Sequence, residues 1–344
     1  MLPSAERLTG LKLEGGWNVI SPAPKEKNST GGYFSKGYFV ENDDGRKAFL
    51  KALDISRALR EDDPALALQS LTEAFNFERD VLIKCKDERL DHIVLAIDSG
   101  TVRFENAFDG GAVQYLIFEL ADGDVRKQST INERFNVAWS LRSLHNIAVG
   151  LQQLHSHGIA HQDLKPSNVL VFGGKTSKIS DFGRAAYKGH TPPHEGSDIA
   201  GDLSYAPPEL FYGYVDPEWN NRRFGCDAYL MGSMALYFYL GVGATVFLFN
   251  ELPEDFASHK WKGSFDEVLP YLHDAFQRVL EKYRSALPIS VQDELIEIVS
   301  QLCTPDPRLR GHPKNRHNQH SMERYISKLN LLARKAELGI LVFD

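Results

Sequence analysis

The stretch His161-Gln162-Asp163-Leu164-Lys165-Pro166-Ser167-Asn168 decides how the rest of this chain is read. It places an acid, a base and a carboxamide within one octet. Behind it, Ile147, Leu151 and Leu154 recur at helical spacing, and His155 to His161 lead into the octet. Ahead of it lie two short strand-like runs, Val169 to Phe172 and Ser177 to Ser180. Asp181-Phe182-Gly183 then begins thirteen residues past Asn168. The bland alternative for the octet alone is a polar surface loop.

Working outward, residues 1 to about 30 are polar, and Ser21, Pro22, Pro24 and Asn28 to Thr30 read as loop. Gly37 to Val40, a turn at Asn42 to Gly45, and Ala48 to Leu53 give a hairpin pattern. A helix is expected from about Pro64 to Lys84, and strands at His92 to Val102 and Val113 to Leu120. Beyond Asp124 the pattern is mostly helical. The expected fold class is therefore α+β, with a small β-rich lobe before a larger helical one.

Composition narrows the function. A formal charge of −7 argues against a general nucleic-acid binder, which needs clustered Lys and Arg. Cys85, Cys226 and Cys303 are odd in number and widely spaced, so they form neither a disulfide framework nor a zinc pattern and fit a reducing, cytoplasmic setting. Met1 to Gly10 lacks the apolar core of a signal peptide. Ala228 to Phe249 carries no Asp, Glu, Lys or Arg, and is long enough to span a bilayer. Gly241 and Gly243 break that run and Asp227 opens it, so a buried helix is expected instead of membrane insertion.

The octet resembles the catalytic loop of protein kinases, and the resemblance covers residues 31 to 313. The chain looks like a eukaryotic-like (Hanks-type) serine/threonine kinase. That likeness implies a two-lobed kinase fold, with an N-terminal extension at 1–30 and a kinase domain at 31–313. Its N-lobe would run over about 31–120 and its C-lobe over about 121–313, followed by a basic helical tail at 314–344. Within the loop, Asp163 would be the catalytic base and Lys165, the Ser/Thr form of that position, would neutralise the transferring phosphoryl group. Asn168 and the Asp181 of Asp-Phe-Gly would hold Mg²⁺, with Mn²⁺ as a substitute, while Phe182 would pack under the regulatory helix. Ala48-Phe49-Leu50-Lys51 resembles the strand whose lysine contacts the ATP phosphates and a helix glutamate. Glu78 is in register with the apolar stripe Leu71, Ala74, Val81 and Leu82, whereas Glu73 lies off it, so Glu78 is the expected partner.

The same likeness makes Phe118 the gatekeeper, backbone groups of Glu119 and Ala121 the adenine contacts, Asp124 a ribose contact and Leu170 the adenine floor. Ala206-Pro207-Pro208-Glu209 resembles the end of the activation segment, and Asp306 to Arg310 the late motif whose arginine pairs with Glu209. Asp227 to Gly232 resembles the start of the long central helix. The implied reaction is ATP-dependent phosphoryl transfer to Ser or Thr hydroxyls of protein substrates, autophosphorylation included. A pseudokinase scaffold and a small-molecule kinase are the alternatives.

Several residues depart from the family. Thr30 to Gly37 keeps glycines, with Gly31 and Gly32 as phosphate-covering candidates, but not the usual spacing. Phe49 stands where a small alanine is usual, Asp202 where a threonine is, and Arg57 to Gln69 reads as an insertion. Gln162 replaces the arginine that binds an activation-segment phosphate. With only Arg184 as another phosphate partner, and with Asp202 able to bond Lys165, activity is expected not to depend on phosphorylation there. In the tail, Met322, Ile326, Leu329 and Leu332 mark one face of a helix docked on the large lobe.

Overall fold

The computed structural model describes residues 2–24, 34–127, 136–195, 199, 201–315 and 317–341. The chain forms two compact units, Met1–Asp122 and Gly123–Asp344.

The first unit is built on an antiparallel sheet in the order β1-β2-β3-β5-β4, with β1 at Trp17–Pro22, β2 at Ser35–Asn42, β3 at Lys47–Leu53, β4 at Ala96–Arg103 and β5 at Ala112–Glu119. The β2–β3 hairpin turns through Gly45 at φ 79°, a conformation that favours glycine, and pairs Phe39 with Phe49 and Gly37 with Lys51. Because side chains alternate along a strand, β3 sends Ala48, Leu50 and Ala52 to one face and Phe49 and Lys51 to the other. The first face is sealed by Ala5, Leu8, Leu13, Trp17 and Val19, packed with Tyr38, Val40, Val113, Tyr115 and Ile117.

The loop reading of Ser21 and Pro22 is thereby corrected, while Asn28 to Thr30 lie outside the described residues. Ser4–Glu6 is a short 3₁₀ turn and Trp17–Pro22 is a sheet strand, with Val19 opposite Val40. The Ser4 amide donates to Asp109 Oδ2 at 2.7 Å and Tyr38 Oη donates to the Ala5 carbonyl at 2.7 Å. At about 1.5–3 kcal/mol for each large apolar side chain, this cover is a principal part of the unit's core. Helix α1, Pro64–Asp87, starts where Asp63 accepts the Leu66 amide at 3.0 Å and Pro64 takes the first turn. Its buried stripe is Phe75, Glu78, Val81, Leu82 and Cys85.

In the second unit, α2 (Val137–Ser156) precedes β7 (Ile159–Ala160), the hairpin β8 (Val169–Phe172) and β9 (Thr176–Ile179), and β10 (Ala186–Tyr187). Strand β6, Gly123–Asp124, pairs with β8, and β7 pairs with β10. The helices that follow are α3 (Pro208–Phe211), α4 (Trp219–Leu240), α5 (Ala244–Glu251), α6 (Phe265–Arg284), α7 (Gln292–Leu302) and α8 (Glu323–Glu337). The uncharged run splits between α4 and α5, which are bent by 86° after Gly241 adopts φ 74°. Among the described residues no single helix is long and apolar enough to cross a membrane, and α4 is buried along most of its length.

Helix α8 lies along α2 and buries Tyr325, Leu329, Leu332, Ala333 and Ala336, with Met322 buried just before its first turn. Tyr325 takes the place expected of Ile326, which is only half-buried. Arg142 of α2 clasps both carboxylate oxygens of Glu337 at 2.9 Å.

Candidate active site

The octet follows β7 and ends in a 3₁₀ turn at Pro166–Asn168, and its shape is imposed by one buried carboxylate. Asp227 on α4 accepts the His161 and Gln162 amides, each at 2.8 Å, and the His155 ring at 2.9 Å. Gln162 is thereby held at φ 67°, a left-handed conformation that costs about 1–3 kcal/mol outside glycine. His161 Nε2 meets the Ser180 carbonyl at 2.9 Å, and its ring edge packs on Phe182 at 5.1 Å.

Around Asp163 the contacts are dense. Asn168 Nδ2 donates to the Asp163 carbonyl at 2.8 Å and to its Oδ2 at 3.1 Å. Lys165 Nζ lies 3.1 Å from Asp163 Oδ2 and 3.5 Å from Asp202 Oδ2, while the Asp202 amide donates to Asp163 Oδ1 at 2.9 Å. Burial pushes the Asp163 carboxyl up from its ordinary value; Lys165 opposes that rise and Asp181 adds to it.

The β8–β9 hairpin explains how Asn168 and Asp181 come together. Val169 pairs with Ile179, so the residues just outside that pair meet at one end, where the Ser180 amide donates to the Asn168 carbonyl at 2.9 Å. Asp181 follows at φ 64°. A carboxylate and a carboxamide oxygen suit a hard cation such as Mg²⁺, which keeps waters and substrate phosphates as its other ligands.

In the first unit Lys51 Nζ lies 2.8 and 3.0 Å from the two Glu78 oxygens, and Glu78 is buried on the α1 stripe. Glu73 is instead bonded to Gln69 at 2.8 Å. Phe118 lies opposite Phe49 across β3 and β5. The Phe49 ring covers Gly37 so closely that a Cβ there would fall 2.8 Å from its Cζ. Glu119 bonds Leu95 through both its amide and its carboxylate, and Ala121 follows the end of β5. In the second unit the Asp124 carboxylate is held by Arg126 at 2.7 and 3.1 Å, and Leu170 pairs with Asp124 on β8. Gly31 and Gly32 lie outside the described residues.

Glu209 and Arg310 form two parallel bonds of 2.7 and 2.8 Å. A second charged cluster was not expected. Arg223 of α4 donates to Gln162 Oε1 at 2.8 Å and pairs with Glu195, which also meets Arg222 at 3.1 Å. Arg184 was the other cation expected near this segment; Arg223, which bonds Gln162, was not expected. The cation comes from α4, four residues before Asp227 and so on the same helix face. That spacing was the available signal.

The family model described as a protein kinase domain matches residues 92–321. The chain belongs to the protein kinase family. The match includes the Asp163 loop, Asp181, Glu209 and Arg310, while the Lys51–Glu78 pair lies before it. Among curated proteins, an Aurora/IPL1-related protein kinase 2 of Caenorhabditis briggsae is 30% identical over 141 residues, covering 41% of this chain and 44% of that protein. Aurora kinase B of Drosophila melanogaster is 31% identical over 130 residues, or 37% of each chain. An Aurora kinase of Dictyostelium discoideum is 27% identical over 235 residues, 63% of this kinase-family chain and 50% of that one. These matches thus span half or less of the relatives' own length.

Proposed function

We propose that this chain is an ATP-dependent serine/threonine protein kinase with Asp163 as its catalytic base. The observation that carries the reading is the arrangement around Asp163: a carboxylate fixed by Asn168, Lys165 and the Asp202 amide, beside a second carboxylate at Asp181. In this reading the substrate hydroxyl oxygen attacks the γ-phosphorus as its proton passes to Asp163. The bond to the bridging β,γ-oxygen breaks and ADP leaves with that oxygen. Lys165 offsets charge on the transferring group, and Lys51, oriented by Glu78, holds the ATP phosphates. Asn168 and Asp181 would hold Mg²⁺ or Mn²⁺, which supplies charge neutralisation at the phosphates.

Protein Ser/Thr acceptors follow from Lys165 and from the likeness to named protein kinases, and autophosphorylation follows from the same chemistry. The proposal includes a cytoplasmic location, which suits three free, buried cysteines. Nucleic acid is not among the expected partners.

The test is phosphate transfer from γ-labelled ATP to a generic protein substrate and to the chain itself. Asp163→Ala should cost on the order of 10²–10⁴ in turnover, while ATP binding persists. Full transfer by that variant would remove Asp163 from the mechanism. Wild-type protein that binds ATP without transferring phosphate would instead be a pseudokinase.

A further inference from the structure

Gln162, next to Asp163, has both ends of its side-chain amide occupied by one residue. The Arg223 guanidinium donates to Gln162 Oε1 at 2.8 Å, and Gln162 Nε2 donates to the Arg223 carbonyl at 2.9 Å. The other amino group of that guanidinium binds Glu195. The second Glu195 oxygen takes Arg222 at 3.1 Å. Arg223 is buried, and two adjacent guanidinium groups repel each other, so the cluster requires a nearby anion. Within this unit Glu195 supplies that anion from the activation segment.

The surroundings are richer in donors than one carboxylate uses. Among the described residues, Nε of Arg222, Nε of Arg223 and both ring nitrogens of His194 are buried without a hydrogen-bond partner, and the neutral His194 ring supplies one N–H donor and one acceptor. These side chains line one pocket with Gln162, Glu195 and Asp202. The Glu195 carboxylate is joined to the Asp163 turn through Arg223 and Gln162, and the Asp202 amide reaches Asp163 from the same pocket.

We propose that Glu195 is a positioning residue that holds Asp163 through Arg223 and Gln162, so that the activation segment is fixed by a built-in carboxylate in place of a phosphate. The inference rests on the kinase reading of Asp163. It goes beyond that reading by naming the residue that makes the active arrangement constitutive. Glu195 touches neither substrate nor ATP phosphates in this reading; it acts through Arg223.

The experiment compares Glu195→Ala, Glu195→Gln and Glu195→Asp in the full chain. Removing the carboxylate lets the Asp163 turn drift, and a misplacement near 1 Å costs roughly a hundredfold. The kcat of the Ala and Gln variants should therefore fall roughly tenfold to a hundredfold. Their KM for ATP should stay unchanged, because Lys51 and Glu78 are untouched. Glu195→Asp should keep most of the activity, since it restores the charge one methylene short. Acetate should restore turnover to Glu195→Ala and leave wild type unaffected.

A second arm needs no catalysis. Inorganic phosphate should raise the melting temperature of Glu195→Ala, by filling the vacated place between the two arginines, and should not raise that of wild type. This arm stands even if the chain proves to transfer no phosphate. Glu195→Gln conserves shape, so comparing it with Glu195→Ala separates the carboxylate's charge from its packing. The proposal is overturned by full kcat in Glu195→Gln, by an equal response of both proteins to phosphate, or by a hundredfold loss of wild-type activity on phosphatase treatment.

Discussion

Replacing Glu209 with alanine should strand a guanidinium that has no exposed surface. Arg310 is 0% exposed and spends two nitrogens on the Glu209 carboxylate. Its remaining partners are the carbonyls of Thr304, Gly225 and Pro305, each at 3.2 Å, and the Tyr229 ring at 5.0 Å. None of these carries a negative charge. Breaking a buried pair from one side costs about 3–5 kcal/mol, because the surviving charge is left uncompensated. In a unit of this size each kcal/mol moves the midpoint by about 2–4 °C, so a fall of about 6–20 °C is expected. The assay is calorimetry of the full chain at neutral pH, read at the transition of the second unit. A Glu209→Leu, Arg310→Met double variant should recover most of the loss, since an apolar pair of similar volume removes both charges. A single variant melting within about 2 °C of wild type, or a double variant less stable than the single, would refute the reasoning.

Two further outcomes are expected. Ending the chain after Arg316 removes Met322, Tyr325, Leu329 and Leu332 from their sites against the large unit; at about 1.5–3 kcal/mol for each, the truncated chain should melt at least 10 °C lower, and an unchanged melting curve would mean the helix is not docked. Burial holds His194 at about 4, with Arg184 and Arg223 adding to the fall, and burial holds His320 at about 3, with His155 and Arg310 adding to it. The unfolded chain takes up protons below about 6.5 that these rings refuse in the fold, so stability should drop as pH falls from 6.5 towards 4. The melting temperature at pH 5 should lie below that at pH 7, and His320→Asn should shrink the difference; an identical difference in the variant would discount His320.

What was legible in the sequence was what chemistry or alternation writes into neighbouring positions. The β2–β3 hairpin follows from two alternating runs around Asn42 to Gly45. Glu78 was separable from Glu73 because only one of them shares a helical face with Val81 and Leu82. The Asp163 loop could be read because its groups lie within a few residues of one another. Strand β1 was hidden because Ser21, Pro22 and Pro24 punctuate it, although Leu13, Trp17 and Val19 were there as apolar positions. Tyr325 and Ile326 sit one residue apart, and spacings of three or four admit either; packing against α2 selects the tyrosine. The Glu195–Arg223–Gln162 chain joins segments 28 and 61 residues apart; the spacing of Arg223 from Asp227 marks its helix end, but no local pattern brings Glu195 to it.

The cover on the first sheet also fixes an order of events during synthesis. Ser4 closes onto Asp109, 105 residues later, and Leu8, Trp17 and Val19 pack against Tyr115 and Ile117. At about 5–20 residues per second, this segment waits roughly 5–20 s before the surface it belongs on exists. During that interval its leucines and tryptophan are open to any apolar surface nearby, including another nascent chain on the same message. The first unit is thus finished from its beginning last, and slowing translation between β4 and β5 should lengthen the time for which this segment needs a chaperone.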